Sequence, residues 1–277
     1  MKNSVITLLG IFIFSLNIIN AQENNAIQIG NSFSIHSKIL NEERTCLISL
    51  PESYSDAAHM DKRYPVIILL DGSTHFETAA ATIHFMSSDR NRNYDMSEAI
   101  LIAIENSDRE RDFTVTKIKT KRPNSMGGGR YFLNFIEQEL IPYIDKQYRT
   151  EAFRTLVGHS LGGLLTLNAY MDKNSIFDAF MTIDPSIWWD EEMMHAKIES
   201  ISPVSLDKKL YIATANQGAR NYERNKKRHD LLYTLLKDKS AGKSNIEINY
   251  FEEEDHRSVP LIAIYQGFKY IYKEPEN

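Results

Sequence analysis

The sequence predicts an α/β fold: a mostly parallel central sheet, antiparallel strands at its N-terminal end, and helices on both faces. Three observations carry that prediction. Continuous apolar runs, such as Val66-Ile67-Ile68-Leu69-Leu70 and residues 99–104, have the pattern of strands buried on both faces. Segments with helical spacing alternate with these runs, the order expected of a sheet built from crossover units. Finally, Gly158-His159-Ser160-Leu161-Gly162-Gly163 sits between an apolar run and a leucine-rich segment, which reads as strand, tight turn and helix.

Taken in order, residues 26–29 and 33–39 show strand-like alternation, Asn41-Glu42-Glu43-Arg44 reads as a hairpin turn, and residues 45–50 form the next strand. The first central strand covers 64–70 and runs through Asp71-Gly72-Ser73-Thr74-His75-Phe76 into an alanine-rich helix. A second follows at 99–104. Residues 105–130 are charged, lack a period and end in Gly127-Gly128-Gly129, as expected of a long loop on the rim of a site. An amphipathic helix is expected over 131–148, kinked or restarted at Pro142. Further strands are expected at 178–183, 210–215 and 245–251. The last helix, 259–272, opens with Ser258 as cap and Pro260 in its first turn.

The N-terminus reads as an export signal. Lys2 precedes an apolar stretch over residues 5–19, and Asn20-Ala21 offers a small-residue cleavage point before a polar segment. The expected organisation is a cleaved signal peptide over 1–21 and a single domain over 22–277, secreted or periplasmic, with no stable membrane anchor. With Cys46 as the only cysteine, no internal disulfide is possible. A net charge of -5 gives no reason to expect nucleic acid as a partner. Neither His-Glu-x-x-His nor a cysteine cluster is present, so no metal is implied, and the Gly127–Gly129 run lacks the lysine of a phosphate loop.

The chemistry centres on Gly158-x-Ser160-x-Gly162, the pattern of a nucleophile held on a strained turn. A serine needs a base within hydrogen-bond reach. Of the histidines, His256, in Asp255-His256-Arg257-Ser258, follows the last strand, where the base of such an arrangement lies. His159 is inside the turn and is not expected to be the base. The acid should leave the strand at 210–215, but Asn216-Gln217-Gly218 follows it. Glu223 is the first carboxylate beyond; Asp184 is a second candidate, and a Ser-His dyad a third possibility. For an oxyanion, the donors expected are the N–H groups of Leu161 and Gly72, with Ser73 next to the latter. Ser73, His75 and Phe76 after the first central strand, Arg111 in the long charged loop and Trp188 after the strand at 178–183 are candidate substrate contacts. Of the pair Trp188-Trp189, one ring is expected in the core and the other as a wall of the pocket.

With these marks together, the chain resembles the putative-esterase family of α/β-hydrolases, and within it the branch containing siderophore esterases. The resemblance runs over residues 29–271. It rests on Leu69-Leu70-Asp71-Gly72 with Phe76, on Arg109 and Arg111-Asp112-Phe113-Thr114, and on the Ser160 turn. Asp184-Pro185-Ser186-Ile187-Trp188-Trp189 and Asp255-His256-Arg257-Ser258-Val259-Pro260 complete it. It implies a serine carboxylic-ester hydrolase working through an acyl-enzyme, with Ser160 as nucleophile, His256 as base, Leu161 and Gly72 as oxyanion donors, and no cofactor. The substrate expected is a small-molecule or glycan-linked ester. A siderophore-type ester leads, a carbohydrate, feruloyl or acetyl ester is the alternative, and a non-catalytic binding protein on the same scaffold is a third reading. Arg109, Arg111, Lys117, Lys119, Lys121, Arg122 and Arg130 are a candidate cationic rim.

Overall fold

The computed structural model describes residues 27–90, 92–121, 123–201, 206–218, 222–240 and 245–272. The expected signal peptide and Arg122 lie outside them. Among the described residues, strands β1 (Asn31–Ser37), β2 (Glu42–Ser49), β3 (Tyr64–Leu69), β4 (Ile100–Ile104), β5 (Thr150–His159), β6 (Ala179–Ile183), β7 (Lys209–Ala215) and β8 (Ile246–Phe251) form one sheet, in the order β1-β2-β4-β3-β5-β6-β7-β8. β1 and β2 pair antiparallel and β2 meets β4 antiparallel; all later pairings are parallel.

The apolar runs follow from burial on both faces. In β3 every side chain is buried, and alternate residues feed two separate cores. Ile68, Ile102, Leu156, Phe180 and Ile212 belong to the core on one face; Ile67, Leu101, Val157, Met181 and Tyr211 belong to the other. α5 (Leu161–Tyr170) covers the first face, and α1 (Gly72–Ser87) and α8 (Val259–Tyr272) cover the second. Period-two alternation is lost because neither face meets water. Cys46 is buried in β2, and burial pushes its thiol up to about 12, so it is an inert packing group.

Several local expectations are refined. Residues 27–30 have no regular structure, so the first strand begins at Asn31, and β2 already starts at Glu42. The rim loop carries a short helix α2 (Arg109–Phe113), capped where the Asp108 carboxylate accepts from the Arg111 N–H at 3.1 Å. The helix expected over 131–148 divides into α3 (Gly129–Phe135), a π-helical turn (Ile136–Leu140) and α4 (Ile141–Gln147). Pro142 stands in the first turn of α4, where its missing N–H leaves no bond broken. Among the described residues the remaining α-helices are α6 (Trp189–Ser200) and α7 (Tyr222–Lys239), and two short 3-10 helices stand at Glu52–Ser55 and Ala57–His59.

Candidate active site

The parallel strands end along one edge, and register decides which of their terminal residues become neighbours. Leu69 lies opposite Val157, and His159 opposite Ile183. The residues that follow β3, β5 and β6 therefore stand side by side: Asp71, Ser160 and Asp184. All three hold left-handed backbone, with φ of 55°, 59° and 38°. Such strain in non-glycine residues persists only where the surroundings over-determine it, and it clusters at functional sites.

Around Ser160 (φ 59°, ψ −117°) the backbone is held at every point. Its N–H donates to Ile183 O at 3.0 Å, and its carbonyl accepts from Leu164 and Ser186 N–H, each at 3.0 Å. Gly158 permits the turn: a Cβ there would lie 2.3 Å from Gly162 O and 2.6 Å from Thr166 Oγ1. No side chain fits between those backbones.

Ser160 Oγ lies 3.1 Å from His256 Nε2, and His256 Nδ1 lies 2.5 Å from Asp184 Oδ2. The carboxylate accepts the Nδ1–H, which leaves Nε2 as the acceptor facing the serine hydroxyl. Asp184 is fully buried and receives further donors, Ala215 N–H on Oδ1 at 3.1 Å and Gln217 Nε2 on Oδ2 at 2.5 Å. Burial opposes its ionisation, but the bonds from His256, Ala215 and Gln217 outweigh that and hold its carboxyl below the ordinary carboxylate value.

The first choice of acid from the sequence is therefore corrected. Glu223 lies exposed in the first turn of α7, and the Nδ1 position of His256 is filled by Asp184, the second candidate. Sheet order is the reason. β6, not β7, neighbours the serine strand, so a carboxylate after β6 reaches behind the histidine. The end of β7 supplies Gln217 instead, which props Asp184.

At the other side of Ser160, the Leu161 N–H opens α5 and has no intrahelical acceptor. The N–H groups of Gly72 and Ser73 open α1, whose first internal bonds run from Thr74 and His75 to Asp71 O. Gly72 has a packing role as well: a Cβ would meet Ile104 C and O at 2.9 Å, where β4 ends. Asp71 is fastened by Arg109 (Nε at 2.6 Å, Nη2 at 3.0 Å) and by Asn106 Nδ2 at 2.6 Å. Arg109 Nη2 also donates to His159 O at 3.3 Å, so one guanidinium ties the β3 loop to the serine turn.

A cavity of about 450 Å³ opens over these groups, lined by Ser160, Asp184, Ser186, Trp188, Gln217 and His256, with Asp255 and Arg257 at its rim. A larger cavity, about 910 Å³, lies at the opposite strand edge among Glu52, Lys62, Glu98 and Lys269, where the His59 ring pairs with Asp56. Size does not single out the Ser160–His256 pair, which opens to the smaller cavity. Trp188 is 49% exposed and Trp189 3%, the division expected of the pair.

Other candidate contacts lie elsewhere. Arg111 is committed to Glu42 (2.6 Å) and Asp112 (2.8 Å), an ion-pair network that fastens α2 to β2. Phe76 is buried in the core under α1. The Ser73 hydroxyl donates to Glu105 at 3.1 Å. His75 is buried edge-on to His159 rather than on the cavity wall. Of the cationic rim, Arg109 is committed to Asp71. Sequence reasoning did not select Ser186, whose Oγ lies 3.3 Å from that of Ser160, although it stands in the quoted Asp184-Pro185-Ser186 stretch. It also passed over Gln217 and His229. His229 is buried, bonded through Nδ1 to Thr214 Oγ1 at 2.8 Å, with Nε2 3.9 Å from Asp184. Among the described residues, no group of histidine, cysteine or carboxylate side chains is placed to hold a metal ion.

Burial holds both His159 and His229 down to about 4, so each is neutral when folded near pH 7. Their folded values lie below the unfolded value near 6.5, so the unfolded chain binds more protons between about pH 6.5 and 4. Stability contributed by these rings is complete above that window and is lost as the pH falls through it. About 2–3 kcal/mol each is at stake at pH 4.5. The midpoint of urea unfolding is expected to fall steadily between pH 7.5 and 4.5; a level midpoint would contradict the assignment.

Comparison with known proteins agrees with this fold. The family described as Putative esterase matches residues 37–255. The chain belongs to that family of α/β-hydrolases. It is 28% identical over 275 residues to the ferri-bacillibactin esterase BesA of Bacillus subtilis, covering 91% of this chain and 93% of that protein. It is 30% identical over 159 residues to the siderophore triacetylfusarinine C esterase of Aspergillus fumigatus, 52% of this chain and 51% of the relative. Among solved structures, an IroE-like serine hydrolase from Shewanella oneidensis superposes with a TM-score of 0.75 at 30% identity, over 88% of this chain and 80% of that one. The esterase is thus an enzyme of the serine-hydrolase type, homologous to siderophore esterases.

Proposed function

We propose that this esterase hydrolyses carboxylic esters of the siderophore type through an acyl-enzyme on Ser160. The observation that carries the reading is the unbroken chain Ser160 Oγ–His256 Nε2, His256 Nδ1–Asp184 Oδ2, open to a cavity at the strand edge. His256 takes the hydroxyl proton as Ser160 Oγ bonds to the ester carbonyl carbon. The oxyanion of the tetrahedral intermediate lies between the N–H groups of Leu161 and Gly72. Collapse breaks the bond to the alcohol oxygen, which receives the proton from His256. Water then repeats the sequence, releasing the acid and restoring Ser160. Asp184 holds the imidazole in the tautomer this requires and balances the imidazolium.

Homology to esterases of siderophores supports the substrate class, together with the half-exposed Trp188 indole and the Arg257 side chain at the rim. An aromatic face beside a cation suits an acidic aromatic acyl or alcohol group. The apolar stretch at residues 5–19 and Ala21 support export of the enzyme from the cytoplasm. Among the described residues no helix is long and apolar enough to cross a membrane.

The test is turnover of a panel: p-nitrophenyl acetate and butyrate, methyl ferulate, an acetylated xylo-oligosaccharide, and a catecholate trilactone with and without iron. Preference for the trilactone supports the proposal; preference for the ferulate or the sugar ester reassigns the substrate, and inertness on all of them removes the enzymatic mechanism. Trp188→Ala is expected to raise KM for aromatic esters about tenfold, from the loss of roughly 1–1.5 kcal/mol of ring contact, and to leave p-nitrophenyl acetate turnover within twofold. Equal losses on aromatic and acetyl esters would show that the indole only supports the fold.

A further inference from the structure

A stack of histidines that the hydrolytic scheme does not use lies behind the catalytic pair. His159 sits between His256, with ring centroids 4.5 Å apart and planes inclined by 38°, and His75, met edge-on at 5.3 Å. The three rings come from three different segments, the last residue of β5, the loop after β8 and the first turn of α1. Besides the ring contact, His159 Nε2 lies 2.9 Å from the main-chain carbonyl oxygen of His256. A carbonyl only accepts, so this nitrogen carries the proton and Nδ1 is bare. The fixed tautomer ties the serine turn directly to the segment that carries the base.

We infer that His159 is the positioning residue for His256, locking the base's loop to the serine turn by the Nε2–H bond and supporting its ring from behind. The need for such a lock follows from the exposure of the base. The His256 side chain is 38% exposed, and its neighbours Asp255 and Arg257 are exposed, so little else packs against this loop from the solvent side. Asp184 fixes one ring nitrogen, and Ser160 meets the other. Neither contact holds the main chain of residue 256; the His159 bond does. Because the donor is adjacent in sequence to Ser160, any movement of the turn carries the base with it. The distance between Ser160 Oγ and His256 Nε2 is therefore set by neighbouring residues of a single rigid turn. A reactive distance needs to be held within about half an ångström.

The groups that face His159 pull both ways. His256 and His75 flank it and disfavour its charge, while Asp71 and Asp184 on adjoining loops favour it. Arg109 donates to its carbonyl. Burial is the strongest influence and keeps the imidazole uncharged down to about pH 4, so the ring next to a protonating base remains a neutral donor throughout catalysis.

This inference rests on the Ser160–His256 reading of the site, and the experiment separates the two. Ser160→Ala and wild type, assayed on p-nitrophenyl acetate, decide that reading alone. His159→Phe keeps a ring and removes the donor, while His159→Gln places an amide N–H at the position of Nε2 and removes the ring. The expected result is that His159→Phe lowers kcat about thirtyfold with KM within twofold. Labelling of Ser160 by a fluorophosphonate should slow in parallel, and His159→Gln should recover most of the loss. A kcat for His159→Phe within threefold of wild type, or a glutamine variant as impaired as the phenylalanine one, would overturn the inference. Should either variant fail to fold, imidazole nitrogen NMR of the wild-type chain decides. An Nε2–H tautomer for His159 that stays neutral at pH 5.5 supports the lock; an Nδ1–H tautomer, or titration near pH 6.5, defeats it.

Discussion

Ser160→Ala is expected to lower kcat on every ester the enzyme accepts by about 10⁴-fold or more, with KM little changed. The magnitude follows from what the substitution leaves in place. The Leu161 and Gly72 N–H groups and the cavity remain, so residual rate above the uncatalysed reaction should persist. The nucleophile oxygen, which His256 faces at 3.1 Å, is absent. Folding should be unharmed: alanine gives up only the two Oγ contacts, to His256 and Ser186, and the backbone bonds to Ile183, Leu164 and Ser186 do not involve the side chain. A thermal midpoint close to wild type would check this. An alanine variant that kept a tenth of wild-type turnover would mean that chemistry occurs elsewhere, and the proposed mechanism would fall.

The second large effect separates the carboxylates. Asp184→Asn is expected to reduce kcat by about 10³–10⁴-fold, whereas Glu223→Ala should stay within twofold of wild type. The asparagine keeps the shape but offers His256 Nδ1 an oxygen or an NH₂ group in competition with Gln217 and Ala215, so the imidazole is no longer held in one tautomer. A stability loss accompanies it, since a buried network built around an anion loses its charge-assisted bonds, each about 1.5–3 kcal/mol. Comparing the two variants at equal folded fraction by circular dichroism isolates the kinetic effect. If Glu223→Ala were the more damaging, the acid would have to reach His256 in another arrangement of α7. Loss of the Gln217 donor, in Gln217→Ala, should give an intermediate reduction, because Asp184 would keep its bonds to His256 and Ala215.

Much of this site was legible in the chain, and the missing parts share one cause. Ser160 and His256 are marked by local context, a glycine-flanked serine between an apolar strand and a helix, and a histidine just past the last strand. Trp188 and Trp189 divide as two adjacent large rings must when one face of the chain is core. The acid was misplaced because an argument along the chain assigns it to the strand before the last helix–strand unit. The sheet instead puts β6 beside β5, and a one-strand displacement exchanges Asp184 for whatever follows β7. Arg111 and Arg109 look alike in sequence, two arginines on one charged loop. One pairs with Glu42 and Asp112 in a structural network, and the other clamps Asp71 beside the serine turn. Charge shows that a side chain needs a partner, not which partner the fold brings near it.

The chain by itself therefore determined the fold class and singled out Ser160 and His256, the pair that the structure brings within hydrogen-bond reach, because those depend on hydrophobic period and on glycines required by a turn, both local properties. Tertiary structure alone decided which carboxylate stands behind His256, which arginine reaches the oxyanion loop, and that His159 lies against the base. Each of those depends on strand order and register, which bring residues 72, 38 and 97 positions apart into contact through hydrogen bonds between neighbouring strands and loops. Local sequence carries no record of that distance.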